Sequence, residues 1–120
     1  MTDVIIGKLK ELFPDAAVGR KPVTMRREAV VVRSRPLETV GERRAERVSV
    51  TFLAPSFTEA RRMYLAARKA LVSLGDLPSV GEGDGALIVR ENAGEGKAGF
   101  VARTGLYRVG AVFTVTGFRH

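Results

Sequence analysis

The 120-residue chain has no cysteine and a single histidine. Without thiols it cannot carry a disulfide framework, a thiolate metal site or a thiol nucleophile, an absence that fits a reducing compartment. The one histidine is the last residue, His120, and chain ends are generally too mobile for precise catalysis. Lacking a thiol or a second imidazole, the chain cannot assemble a nucleophile–base pair or a zinc site in the usual ways. Long apolar runs are absent too, since none approaches the roughly 20 residues needed to span a bilayer. Residues Met1 to Lys8 show neither the basic n-region nor the apolar h-region of a signal peptide. The expectation is a soluble chain made in the cytoplasm, not secreted, making no membrane contact and needing no metal or cofactor.

What is present is an apolar fraction of 45%, which is ordinary for one globular domain and argues against wholesale disorder. Domain boundaries of 1–120 follow, with no internal repeat. The net charge of +7 is the anomaly. A basic domain points to nucleic acid, an acidic partner or an anionic surface. Arg26, Arg27, Arg33, Arg35, Arg43, Arg44 and Arg47 carry much of it in one stretch. No Phe, Tyr or Trp lies among them, which weakens single-strand or base-specific recognition and leaves non-specific contact with DNA phosphates open.

Element signals are clearest from Glu46 to Leu74. Val48, Val50 and Phe52 alternate with Arg47, Ser49 and Thr51, the period of a strand buried on one face. Ala54-Pro55 breaks it. Ser56, three residues before Glu59, has capping-box spacing. Phe57, Ala60, Met63, Tyr64, Ala67, Ala70, Leu71 and Leu74 then recur at helical spacing up to Gly75. Upstream, Thr2 to Phe13 reads as a helix striped by Val4, Ile5, Leu9 and Leu12 and stopped by Pro14. Asp15 to Thr24 reads as a loop, and Ala29 to Val32 as a strand. Downstream, strands are expected over Ala86–Arg90, Phe100–Thr104 and Leu106–Phe118, separated by glycine-rich turns. On the last strand Tyr107, Val109, Ala111, Phe113 and Val115 share one face. The predicted fold is a two-layer α+β sandwich in the order α-β-β-α-β-β-β, with about five mainly antiparallel strands and two helices on one face.

Segment 34–46 is the most polar part of the chain, and it falls between two strands. It reads as a long charged hairpin loop or arm, of a length that usually marks function or disorder. Catalytic or ligand-binding signatures fail elsewhere. Gly94-Glu95-Gly96-Lys97-Ala98-Gly99 lacks the spacing and the hydroxyl of a phosphate-binding loop. Gly81-Glu82-Gly83-Asp84-Gly85 leads into a strand and not a helix, unlike a dinucleotide fingerprint. Glu82, Asp84, Glu91 and Glu95 read as solubilising loop carboxylates, because their spacing matches no calcium loop. Arg61, Arg62, Arg68 and Lys69 lie on the polar side of the second helix, as a solvated face or as contacts for phosphate or an acidic partner.

Three segments together resemble the minor capsid or tail-terminator (tail-completion) proteins of long-tailed bacteriophages. They are Arg47-Val-Ser-Val-Thr-Phe-Leu53, Phe57-Thr-Glu-Ala-Arg-Arg-Met-Tyr-Leu-Ala-Ala-Arg-Lys-Ala-Leu71 and Tyr107-Arg-Val-Gly-Ala-Val-Phe-Thr-Val115. The resemblance implies a structural, non-enzymatic virion protein assembled in the host cytoplasm and located in the tail. It implies a homo-oligomeric ring, usually a hexamer, that terminates the tail tube and joins it to the head-side connector protein. The basic charge is not part of the family pattern. On this reading the arm reaches a neighbouring subunit or the tail tube protein, and Arg33, Arg35, Leu37, Arg43, Arg44 and Arg47 are the expected interface residues. The competing reading is a small basic nucleic-acid-binding module.

Overall fold

The computed structural model describes residues 2–20, 28–40, 43–74, 84–93, 98–102 and 105–119. Two helices, α1 (Thr2–Leu12) and α2 (Phe57–Leu74), accompany six strands: β1 (Ala17–Gly19), β2 (Ala29–Val40), β3 (Arg43–Ala54), β4 (Asp84–Ala93), β5 (Ala98–Val101) and β6 (Leu106–Arg119). The strands form one sheet in the order β1-β2-β3-β6-β4, with β5 beside the start of β6. Among the described strands only the β1–β2 pair is parallel. The α+β class and the mainly antiparallel sheet agree with the pattern in the sequence, and the element order does so apart from the added strand β1. The expected turns around Gly75–Gly83 and Gly94–Lys97 lie outside the described residues, as do Glu82, Glu95 and His120.

Both helices cover the same face of the sheet. Ile5 and Leu9 of α1 and Ala60, Met63, Tyr64, Ala67 and Leu71 of α2 bury against alternate residues of three strands. These are Val30 and Val32 on β2, Val48, Val50 and Phe52 on β3, and Val109, Ala111, Phe113 and Val115 on β6. Phe52 sits where the helices converge, with its ring edge-on to Phe13 (6.3 Å) and to Tyr64 (6.2 Å). Helix α2 starts where expected because the Glu59 N–H donates to Ser56 Oγ at 3.2 Å, satisfying one of the orphan donors of the first turn. Gly105 turns the chain from β5 into β6 at φ 70°, and its N–H donates to the Val101 carbonyl at 2.8 Å. A side chain is strained in that left-handed conformation, so glycine is the natural occupant.

Four expectations need correcting. First, the stretch read as a loop over 15–24 contains the short strand β1, whose pairing of Ala17 with Ala29 joins the sheet edge. Second, 34–40 and 43–46 are strand and not loop. Strands β2 and β3 pair through these residues to Val40↔Arg43, with one irregularity between Pro36 and Glu38, and β6 flanks β3 out to Arg43↔Phe118. The arm is therefore one end of the sheet, carried past the helices. The molecule measures 45 × 25 × 22 Å, and the hydrophobic cluster under the helices stops at Val32 on β2 and at Val48 on β3.

The third correction concerns apolar residues. Phe57, placed on the apolar stripe of α2, is 40% exposed, and Tyr107, placed with the core residues of the last strand, is 37% exposed. The fourth is Glu91. It stands opposite Phe113 of β6, on the helix-covered face, with its side chain only 10% exposed.

Candidate assembly surface

The register decides which arginines meet. Along β3, Val48, Val50 and Phe52 point under the helices, so Arg47, Ser49 and Thr51 take the opposite, helix-free face. Arg35 stands opposite Arg47, and Arg33 opposite Ser49. The sheet thus brings Arg33, Arg35 and Arg47 together on the helix-free face, all three exposed. Arg44 is exposed as well but falls in the other alternation, with Val48 and Val50. Leu37, at the irregularity in β2, is 40% exposed. Arg43 is known by its backbone register alone, opposite Val40 and Phe118. The six residues expected to form one interface therefore divide between two faces and an edge.

That edge is only partly covered. Strand β1 pairs with β2 at Ala29, Val30 and Val31, and no described strand lies beside Val32 to Val40. Arginines, Pro36 and the irregularity at Leu37 are devices that discourage casual strand addition at an open edge. Residues 33–37 are all exposed. They contribute nothing to the core, so the sequence here is free to serve contact.

On α2, Arg61, Arg62, Arg68 and Lys69 are all exposed. Arg68 is nonetheless engaged: its Nε lies 2.6 Å from Glu91 Oε2. Tyr64 donates its hydroxyl to Glu91 Oε1 at 2.5 Å. Oε2 accepts no aligned hydrogen bond, so the guanidinium holds it as an ion pair. The Glu91 carboxylate is in effect a clamp between α2 and β4. Tyr64→Phe should therefore destabilise the fold by about 2 kcal/mol, the scale for removing a donor to a buried charge. Urea denaturation of the variant and the parent checks this, and a difference below about 0.5 kcal/mol would deny the clamp a stabilising role.

The outer side of α2 also exposes Leu65 and Val72 besides Phe57. Phe57, Thr58, Arg61, Arg62 and Leu65 line an open groove of about 350 Å³. At the β5–β6 end, Phe100 (58% exposed) and Tyr107 meet at 5.0 Å between ring centroids, tilted by 57°. Sequence reasoning missed this aromatic pair as a surface feature. Phe100 lies in a short strand whose burial alternates weakly, and only the pairing Phe100↔Tyr107 brings the two rings together. Among the described residues no group of histidine, cysteine and carboxylate side chains is arranged to hold a metal ion. No described helix is long and apolar enough to cross a membrane.

The chain is a two-layer α+β domain whose second sheet face carries the exposed Arg33, Arg35 and Arg47 beside a smaller buried cluster of Ala29, Val31, Leu53 and Leu106. Its fold is similar to that of a chain in the virion of a native gene transfer agent particle, with a TM-score of 0.60 at 20% identity. The match covers 92% of this chain and 84% of that one. No family model matches the chain, and no curated protein sequence matches it significantly.

Proposed function

We propose that this chain is a structural protein of a phage-like virion. It forms a homo-oligomeric ring, hexameric by the family resemblance, at the end of a tail tube, terminating the tube and joining it to the head-side connector. The observation that carries this reading is the fold shared with a gene transfer agent virion chain over nearly the whole length. The sheet projection supports it. Strands β2 and β3 run on past the hydrophobic cluster under the helices, and the exposed residues 33–37 and Arg44 are well placed to contact a neighbour. In the ring, Leu37, Arg43 and Arg44 at the outer end of the hairpin meet an adjacent subunit or the tube protein, where arginine forks can grip carboxylates with paired bonds.

A ring of this kind is built from heterologous contacts that close. The test is the solution mass of nuclease-treated protein, by light scattering after size exclusion, at low and high salt. A discrete oligomer of about six protomers, unchanged by nuclease, is expected. A monomer at both salts, even with the tube protein added, would overturn the ring. It would leave the nucleic-acid-binding module as the better reading.

A further inference from the structure

We propose that the helix-free face of the sheet projection, centred on Arg33, Arg35 and Arg47, is a contact surface for the phosphate backbone of double-stranded nucleic acid. The inference stands apart from ring formation, since a monomeric chain would carry the same face.

The first argument is the like-charge pair. Arg35 and Arg47 are direct cross-strand partners, a position that puts their Cβ atoms roughly 5 Å apart. Two cations so placed destabilise the sheet unless something anionic relieves them. Among the described side chains none on this face supplies it. The carboxylates with described side chains on β3 and β4, Glu46 and Glu91, stand opposite Val115 and Phe113, both buried under the helices. Neither shares the face of Arg33, Arg35 and Arg47. All three arginines are exposed residues, so an external polyanion can reach them without rearrangement of the core.

The second argument is what surrounds them. Ser49, beside Arg33, and Thr51, next along β3, share the face and are half-buried. Hydroxyls and arginines are the groups that position proteins on phosphate oxygens. Arg33 and Arg35 follow each other along the face at about 7 Å, two residues of strand rise. The described side chains on this part of the face, Val31, Arg33, Arg35, Ala45, Arg47, Ser49, Thr51, Val112, Thr114 and Thr116, include no aromatic ring. Base stacking, the usual grip on single strands, is therefore missing here. What remains is sequence-independent contact with a charged backbone, in a chain whose net charge is +7.

The experiment is fluorescence anisotropy with two short duplexes of unrelated sequence, titrated between 50 and 200 mM salt. The proteins are the parent, the triple variant R33Q/R35Q/R47Q, and R61Q/R62Q on α2 as a control for general charge loss. Melting curves confirm folding, and light scattering confirms a common oligomeric state. The parent should bind both duplexes alike. In the triple variant the slope of log affinity against log salt should be shallower by about 3 for each protomer engaged, at roughly 0.9 per phosphate contact. The control should lose less. Equal slopes for parent and triple variant, a larger loss in the α2 control, or no parent binding at 50 mM salt would each overturn the proposal. So would arginine-dependent binding of polyglutamate without duplex binding, which would assign the face to an acidic protein.

Discussion

Phe52→Ala is expected to destabilise the fold by about 3–5 kcal/mol, the range for removing a large aromatic from a packed core. Phe52 is fully buried on β3, a strand paired on both sides, with Phe52 standing between Val30 of β2 and Val109 of β6. Its ring is the one that meets Phe13, just past α1, and Tyr64, on α2, at interplanar angles of 72° and 64°. Such edge-on pairs contribute about 0.5–1.5 kcal/mol beyond area burial. Truncation therefore removes the side chain that joins both helices to the sheet and leaves a void that three elements must collapse into. Small domains retain only about 5–15 kcal/mol in total, so the variant should lose about a fifth of its stability or more. The measurement is urea denaturation followed by circular dichroism at fixed protein concentration, because assembly would add to the apparent stability. Phe52→Leu, which keeps more of the volume, should cost less than half as much. A loss below 1 kcal/mol in the alanine variant would mean that this packing does not hold the layers together.

How much of this was legible beforehand depended on which forces shaped each segment. Helix α2 could be read because its signals are local: the Ser56 cap, the spacing of Ala60, Met63, Tyr64, Ala67 and Leu71, and the glycine after it. Val109, Ala111, Phe113 and Val115 were legible because one buried face imposes alternation on a strand. The projection was not, since from Arg33 to Leu37 neither face is buried and no hydrophobic period can appear. Its strand conformation comes from pairing with β3, itself held by the distant β6, which no local propensity encodes. Strand β1 is three residues long and exists by parallel pairing with β2. Glu91 read as a loop carboxylate because its partners, Tyr64 and Arg68, lie on a different element.

The candidate surface divides in the same way. The arginine cluster was plain in the composition. That Arg33, Arg35 and Arg47 face together while Arg44 turns away follows only from the register Arg35↔Arg47. A slip of one residue would exchange those faces.

Deleting Leu37 to Arg43 should convert the proposed ring to monomers while leaving the fold intact. The hydrophobic cluster ends at Val32 on β2 and at Val48 on β3, so none of its members is removed. The cut leaves Arg35 opposite Arg47, with Pro36, Arg44, Ala45 and Glu46 to make the connection. A four-residue hairpin loop is a common length. Strand β6 keeps its pairing with β4 from Val112 to Arg119, so the outer end of the sheet retains a scaffold. The thermal midpoint should therefore shift by only a few degrees, while the mass in light scattering falls from about six protomers to one. Because the cut spares Arg33, Arg35 and Arg47, the monomer should still bind duplex with the salt slope expected of those three residues. Retained rings would show that the hairpin end is not the subunit contact. The double variant L37D/R44E, which preserves the backbone, separates lost contact from lost folding: it too should be a folded monomer. A hairpin end that can be removed without unfolding the domain, yet not without dissolving the ring, would explain why these strands extend beyond the core they help to enclose.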